Sequence, residues 1–139
     1  MIVLDTNVIS EALRPEPAPQ IVTWLESLGG EVAITSVTLA ELLAGVRRLP
    51  HGRRRSDLES AIEAAIAPYR GTVAMLAFDD QAAEQYANLL VARHEVGLPI
   101  HTADAQIAAI CRAHAARLAT RNVKDFIATG VDVVNPWTA

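Results

Sequence analysis

Four acidic residues, far apart in a chain of 139, occupy positions from which side chains can meet at one point: Asp5, Glu41, Asp104 and Asp125. Asp5 ends the apolar run Ile2-Val3-Leu4, and in open α/β sheets ligands bind beyond the carboxyl ends of the strands. An Asp or Thr at this place also serves as a helix cap, so Asp5 and Thr6 have a structural reading as well. Glu41 is the only charge between Glu31 and Arg47. On a helical wheel it falls opposite the stripe Leu39, Leu42, Leu43 and Val46, among Val37, Ala40, Ala44 and Gly45. That is the setting of an acid held near a core, or else of a solvated face. Asp104 sits in the first turn of an expected helix, where the helix dipole by itself favours an anion. Ile107, Ala108 and Cys111 follow on the same side and turn it towards the core edge. Asp125 lies just past another expected strand; capping, or pairing with Lys124, is the alternative use.

Carboxylates brought into one pocket repel each other and raise their own pKa values unless a cation compensates them. Convergence of these four therefore implies a metal. Oxygen ligands suit Mg²⁺ or Mn²⁺, whereas zinc calls for His or Cys, and His51, His94, His101 and His114 show no zinc-like pairing. A hard divalent ion in such a site activates water and stabilises a leaving oxygen, which is the chemistry of phosphodiester hydrolysis.

The elements that must position these acids read as short β-branched runs alternating with Ala- and Leu-rich segments, the pattern of a central parallel sheet with helices on both faces. Strands are expected at Ile2 to Asp5, Val32 to Thr35, Val73 to Leu76, Leu118 to Thr120 and Val131 to Val134. Helices are expected at Asn7 to Leu13, Pro19 to Leu28, Val37 to Arg48 with Ser36 as N-cap, and Arg53 to Ala67. A long helix starts at Asp79 or Asp80 and ends near Gly97, and Thr102 caps a further helix over Ala103 to Ala115, with a helical turn at Val123 to Phe126. Prolines 15, 17, 50, 68, 99 and 136 punctuate them. No repeat or linker interrupts the pattern, so residues 1–139 form one domain.

Bulk composition sets limits. The chain is 51% hydrophobic, 4% aromatic and has a net charge of −4, so any nucleic-acid contact must rest on local rather than overall charge. The lone Cys111 lies in an apolar helical stretch, reads as a small buried hydrophobe, and suits a reducing cytoplasm. The N-terminus reaches charge at Asp5 and Glu11 with no basic leader, and no stretch approaches the roughly 18 apolar residues of a membrane span. A soluble, cytoplasmic protein without membrane contact is expected.

Read together and in order, LDTNVIS, ITSVTLAELLAGV, LPIHTADAQIAAIC and LATRNVKDFIATGVDVVNPW resemble the PIN-domain ribonuclease toxins of bacterial type II toxin-antitoxin modules, the VapC and FitB group. The likeness spans nearly the whole chain. It implies a single PIN-like α/β domain with Mg²⁺-dependent endoribonuclease activity on RNA. It also implies a homodimer, a small cognate antitoxin that blocks the site, and a larger assembly with that antitoxin. Carried over by position, the metal-binding and catalytic acids are Asp5, Glu41, Asp104 and Asp125, supported by Thr6, Asn7, Thr120 and Asn122. Some relatives place the last acid at the position of Asn122; Asp125 is preferred because Asn122 offers an amide oxygen without charge.

Arg93, His101 and Arg121 are the candidate substrate contacts, Arg121 adjoining the last motif and His101 lying three residues before Asp104. The basic group Arg47, Arg48, His51, Arg53, Arg54 and Arg55 reads first as a solvated connection. RNA phosphates and, through the resemblance, the antitoxin are its other uses. Three rival readings remain. A receiver-type phosphorylation module needs an acidic pair after its first strand, where only Asp5 stands, although Asp79-Asp80 follows the third. An aspartyl-nucleophile phosphatase needs an acid at Asn7. A catalytically inactive interaction domain has no need of all four acids.

Overall fold

Strand β1 (Ile2–Leu4) pairs in parallel with β2 (Val32–Thr35) on one side and β4 (Arg117–Ala119) on the other. Beyond them lie the edge strands β3 (Met75–Leu76) and β5 (Val133–Val134), giving the all-parallel order β3-β2-β1-β4-β5. The computed structural model describes all residues, 1–139. Side chains alternate across a strand, and the sheet obeys this rule closely. Val3, Ala33, Leu76 and Leu118 enter one core with helices α5 (Asp80–Glu95) and α6 (Thr102–Ala113). Ile2, Leu4, Ile34 and Ala119 enter the other with α1 (Thr6–Ala12), α3 (Ser36–Arg47) and α4 (Arg53–Ile66), against which Trp24 and Leu25 of α2 (Pro19–Glu26) also pack. Helices on both faces, as expected, follow from strands buried on both sides.

The strand order also disposes of one rival. A receiver-type sheet runs 2-1-3-4-5, whereas here the chain travels outward through β1, β2 and β3 before returning to the far side of β1. The direction reverses between β1 and β4. Asp79 is instead a helix cap, its Oδ1 accepting from Ala82 N at 2.9 Å.

Local differences from the sequence expectation have local causes. Val73 is 95% exposed and lies in a turn rather than in β3, because Thr72 gathers the following amides: its carbonyl accepts from Met75 N and its Oγ1 from Ala74 N. The last strand similarly shrinks to two residues at the sheet edge. Thr35, not Ser36, caps α3, with Thr38 N donating to Thr35 Oγ1 at 3.0 Å. His101, not Thr102, holds the N-cap position of α6, without a side-chain bond. Helix α5 stops as expected at Gly97, whose φ of +69° suits glycine. Gly97 N donates to His94 O and Leu98 N to Arg93 O, closing the helix in a Schellman turn.

Candidate metal centre at the strand crossover

Asp5 emerges at the reversal point, between the carboxyl ends of β1 and β4. Its extended backbone makes it the N-cap of α1, so the capping role and a place at the crevice coincide. Oδ1 accepts from Thr6 N at 2.8 Å, while Oδ2 accepts from Thr120 Oγ1 at 2.7 Å and from Asn7 Nδ2 at 3.2 Å. Thr120, fully buried just after β4, is the hub of this clasp. Its Oγ1 also accepts from Asn7 Nδ2 and from Asn122 N, each at 3.1 Å. Asn7 Oδ1 in turn accepts from Arg121 N at 3.0 Å. The four polar residues singled out in the sequence therefore do different things. Asn7 and Thr120 lock the two loops together, Asn122 enters through its backbone, and Thr6 faces the other way.

Thr6 Oγ1 donates to Glu41 Oε1 at 2.7 Å, and Thr38 Oγ1 lies 3.2 Å from the same hydroxyl. A hydroxyl has one proton, and the short contact to a carboxylate takes it, which leaves Thr38 as donor to Thr6. Glu41 itself is exposed, correcting the expectation of an acid held near a core: the apolar stripe of α3 does face inward, but Glu41 reaches over the rim to Thr6. Thr38 was not singled out from the sequence. Its position one helical turn before Glu41 on the same face was the available signal.

Asp104 is half-buried in the first turn of α6, and its carboxyl is pushed up to about 6. Burial is the main cause. The charges of Asp5, Asp125 and Glu41 add to it, and His101 opposes. Asp5 is also raised, chiefly by burial and also by Glu41, against the bonds from Thr120, Thr6 and Asn7. Each of the other three acids thus acts on Asp104, so the four share one electrostatic region. Asp125 projects from the 3₁₀ turn Val123–Phe126, which is anchored by buried Phe126 and by Asp125 N donating to Asn122 O. Lys124 makes no ion pair with it. The ion pairs in the molecule use Glu11, Glu59, Glu63 and Asp132, leaving the four site acids without a basic partner.

No three acidic or imidazole groups close into a compact cage. The oxygens are spread around the crevice and several are held by hydrogen bonds. Such a donor set fits Mg²⁺ or Mn²⁺, which keep several waters and take only part of their shell from carboxylates, better than a cation that demands enclosure. Cys111, buried in the core, is pushed up to about 12 by burial and by Asp5, consistent with an inert core thiol.

The three expected substrate contacts separate. His101 and Arg121 are exposed at the crevice, with the Arg121 guanidinium 5.0 Å from the Trp137 ring centre. Arg93 is only 5% exposed and spends its guanidinium on the carbonyls of Leu98, Pro99, Asp125 and Ile127. A group so occupied offers nothing to a phosphate, so the expectation for Arg93 is corrected: it lies behind the site. The basic connection divides too. Arg55 binds Glu59 and the Leu49 carbonyl. Arg53 and Arg54, with Arg14, edge a groove of about 830 Å³ between α1, α3 and α4, which opens at Thr6 and Glu41.

Independent comparisons agree with this architecture. The PIN domain family matches residues 2–131. Toxin FitB of Neisseria gonorrhoeae is 42% identical over 99% of both chains. VapC ribonuclease Y4jK of Sinorhizobium fredii is 39% identical over 99% of this chain and 98% of its own. The crystal structure of FitAcB from Neisseria gonorrhoeae contains a chain that superposes with a TM-score of 0.91 at 40% identity, covering 100% of each. With its acids at the crossover of a 3-2-1-4-5 parallel sheet and relatives matched from end to end, the chain belongs to the PIN domain family.

Proposed function

We propose that the chain is the toxin of a toxin-antitoxin pair and a divalent-metal-dependent endoribonuclease that hydrolyses RNA phosphodiester bonds. The observation that carries this reading is Asp5 held at the β1–β4 crossover by Thr6, Thr120 and Asn7, with the charges of Asp5, Asp125 and Glu41 acting on Asp104 and none of the four acids in an ion pair. The names of the relatives, a toxin and a ribonuclease, support the substrate and the setting. A Mg²⁺ or Mn²⁺ ion held there would lower the pKa of a water and offset charge on the leaving oxygen. The chain's own part is positioning and field. Asp5 and Asp104 are the principal ligands, Glu41 is steadied by Thr6, and Asp125 completes the set in preference to Asn122, whose amide brings no charge. Thr120 and Asn7 fix the orientation of Asp5. His101 and Arg121, exposed on the rim, contact the RNA backbone.

The groove beside Glu41 takes a segment of the small antitoxin. Its apolar floor of Leu42, Val46, Leu58 and Ile62 and its rim arginines suit a chain with apolar side chains and acidic neighbours. A homodimer is supported by exposed apolar side chains on and after α5 and beside the 3₁₀ turn, Val91, Val96, Leu98 and Ile127. A cytoplasmic setting suits both partners, and no helix is long and apolar enough to cross a membrane. The test is incubation of purified, antitoxin-free protein with structured RNAs, in Mg²⁺ or Mn²⁺ against chelator. Cleavage should require the metal and fall at least ~100-fold in Asp104→Asn. Chelator-resistant cleavage, or full activity in that variant, overturns the reading.

A further inference from the structure

Arg93 is a buried cation with no carboxylate partner. Burying a guanidinium is costly unless its donors are fully used, and here they are used in a particular way. Nε donates to Leu98 O at 2.9 Å and Nη2 to Pro99 O at 2.8 Å. Nη1 donates to the carbonyl of Asp125 at 3.3 Å and to that of Ile127. The first pair belongs to the turn that leads into α6 and Asp104. Of the second pair, Asp125 belongs to the 3₁₀ turn itself and Ile127 directly follows it. One planar group, set by the closing turn of α5, therefore ties the backbones that present two acids from separate parts of the chain.

From this we infer that Arg93 is a positioning residue for the metal centre, acting through the Asp125 main chain to fix where that carboxylate stands relative to Asp104. The inference rests on the metal-centre reading above. A fork of five fixed donors can hold four carbonyls at set angles, whereas Lys presents one small, mobile ammonium. Loss of such supporting contacts in metal sites weakens metal binding by about 10- to 100-fold.

The test is Mn²⁺ affinity, measured by electron paramagnetic resonance or calorimetry on the full chain without RNA, for Arg93→Lys, Asp125→Asn and the double variant. Arg93→Gln replaces the first if Lys fails to fold, as judged by circular dichroism. Arg93→Lys should bind Mn²⁺ about tenfold more weakly, and the double variant no more weakly than Asp125→Asn alone, because both changes remove the same ligand. A lowered melting temperature with unchanged Mn²⁺ affinity in Arg93→Lys overturns the inference, since that is what simple support of the fold produces. Independent, multiplying losses in the double variant also overturn it. Asp104→Asn separates the two levels of argument. If it binds Mn²⁺ like the wild type, the metal-centre reading itself fails; if it loses Mn²⁺ while Arg93→Lys does not, only the role of Arg93 fails.

Discussion

Asp104 and Thr120 show how opposite residue-scale forces are combined in the crevice. The Asp104 carboxyl is raised to about 6 by burial and by its acidic neighbours, so ionisation opposes folding in the metal-free protein. Because the folded value lies above the ordinary 3.8, the stabilising effect of protonation is complete below about pH 3.8 and is lost as pH rises through about 6. Asp104→Asn should accordingly stabilise the metal-free protein at pH 7.5 by about 1 kcal/mol, allowing for the screening of a half-exposed group. The gain should vanish in melts near pH 4. Thr120 works in the other sense, supplying one proton to Asp5 and accepting two others. Thr120→Val keeps the shape but leaves Asn122 N and one Asp5 oxygen short of partners. It should cost about 2 to 3 kcal/mol in chemical denaturation and weaken Mn²⁺ binding together with it. A variant that loses stability but binds Mn²⁺ normally would show that the clasp serves the fold alone.

Elements decide which basic residues face a partner. Helix α4 starts after Gly52 with three consecutive arginines, and helical geometry sends them in different directions. Arg53 and Arg54 edge the groove, while Arg55 turns to Glu59 and Leu49 O. The run Arg53-Arg54-Arg55 was visible in the sequence; its division was not, because it depends on how α4 lies against α1 and α3. Glu11 makes the same point. It is buried, accepting from Ala18 N at 3.2 Å and from Arg14 at 3.4 Å, and so secures the turn that brings Arg14 to the groove. With the proposed antitoxin in that groove, Arg53→Glu with Arg54→Glu should weaken toxin-antitoxin association at least ~10-fold by reversing rim charge, leaving RNA cleavage by the free toxin within about twofold. If cleavage falls with association, the groove carries RNA instead.

For the whole molecule, the sheet order and the charge balance act together. With a net charge of −4 and four acids without an ion-pair partner at the proposed metal centre, the folded state is expected to bind divalent cations. Any ion that binds the folded chain alone raises its stability, by about 2.7 kcal/mol at a hundredfold excess over its dissociation constant. Mg²⁺ or Mn²⁺ should therefore raise the melting temperature at pH 7.5. The shift should shrink below pH 6, where Asp104 takes up a proton, and disappear in Asp5→Asn; an equal shift in that variant places the cation elsewhere. Much of this organisation was legible in the sequence, because period and punctuation are local properties. The alternation of β-branched runs with Ala- and Leu-rich helices announced the parallel sheet, and Asp5 announced itself as the acid at a strand end. Tertiary structure alone decided the rest. Val73 belongs to a turn and not to β3, Glu41 stands on an exposed rim, and Arg93 lies behind the crevice rather than in it. Each of these depends on which distant backbone atoms come near, and spacing along the chain carries no record of that. The acids could be named from sequence; the clasp that holds Asp5 required β4 to return beside β1, bringing Thr120 Oγ1 to 2.7 Å from Asp5.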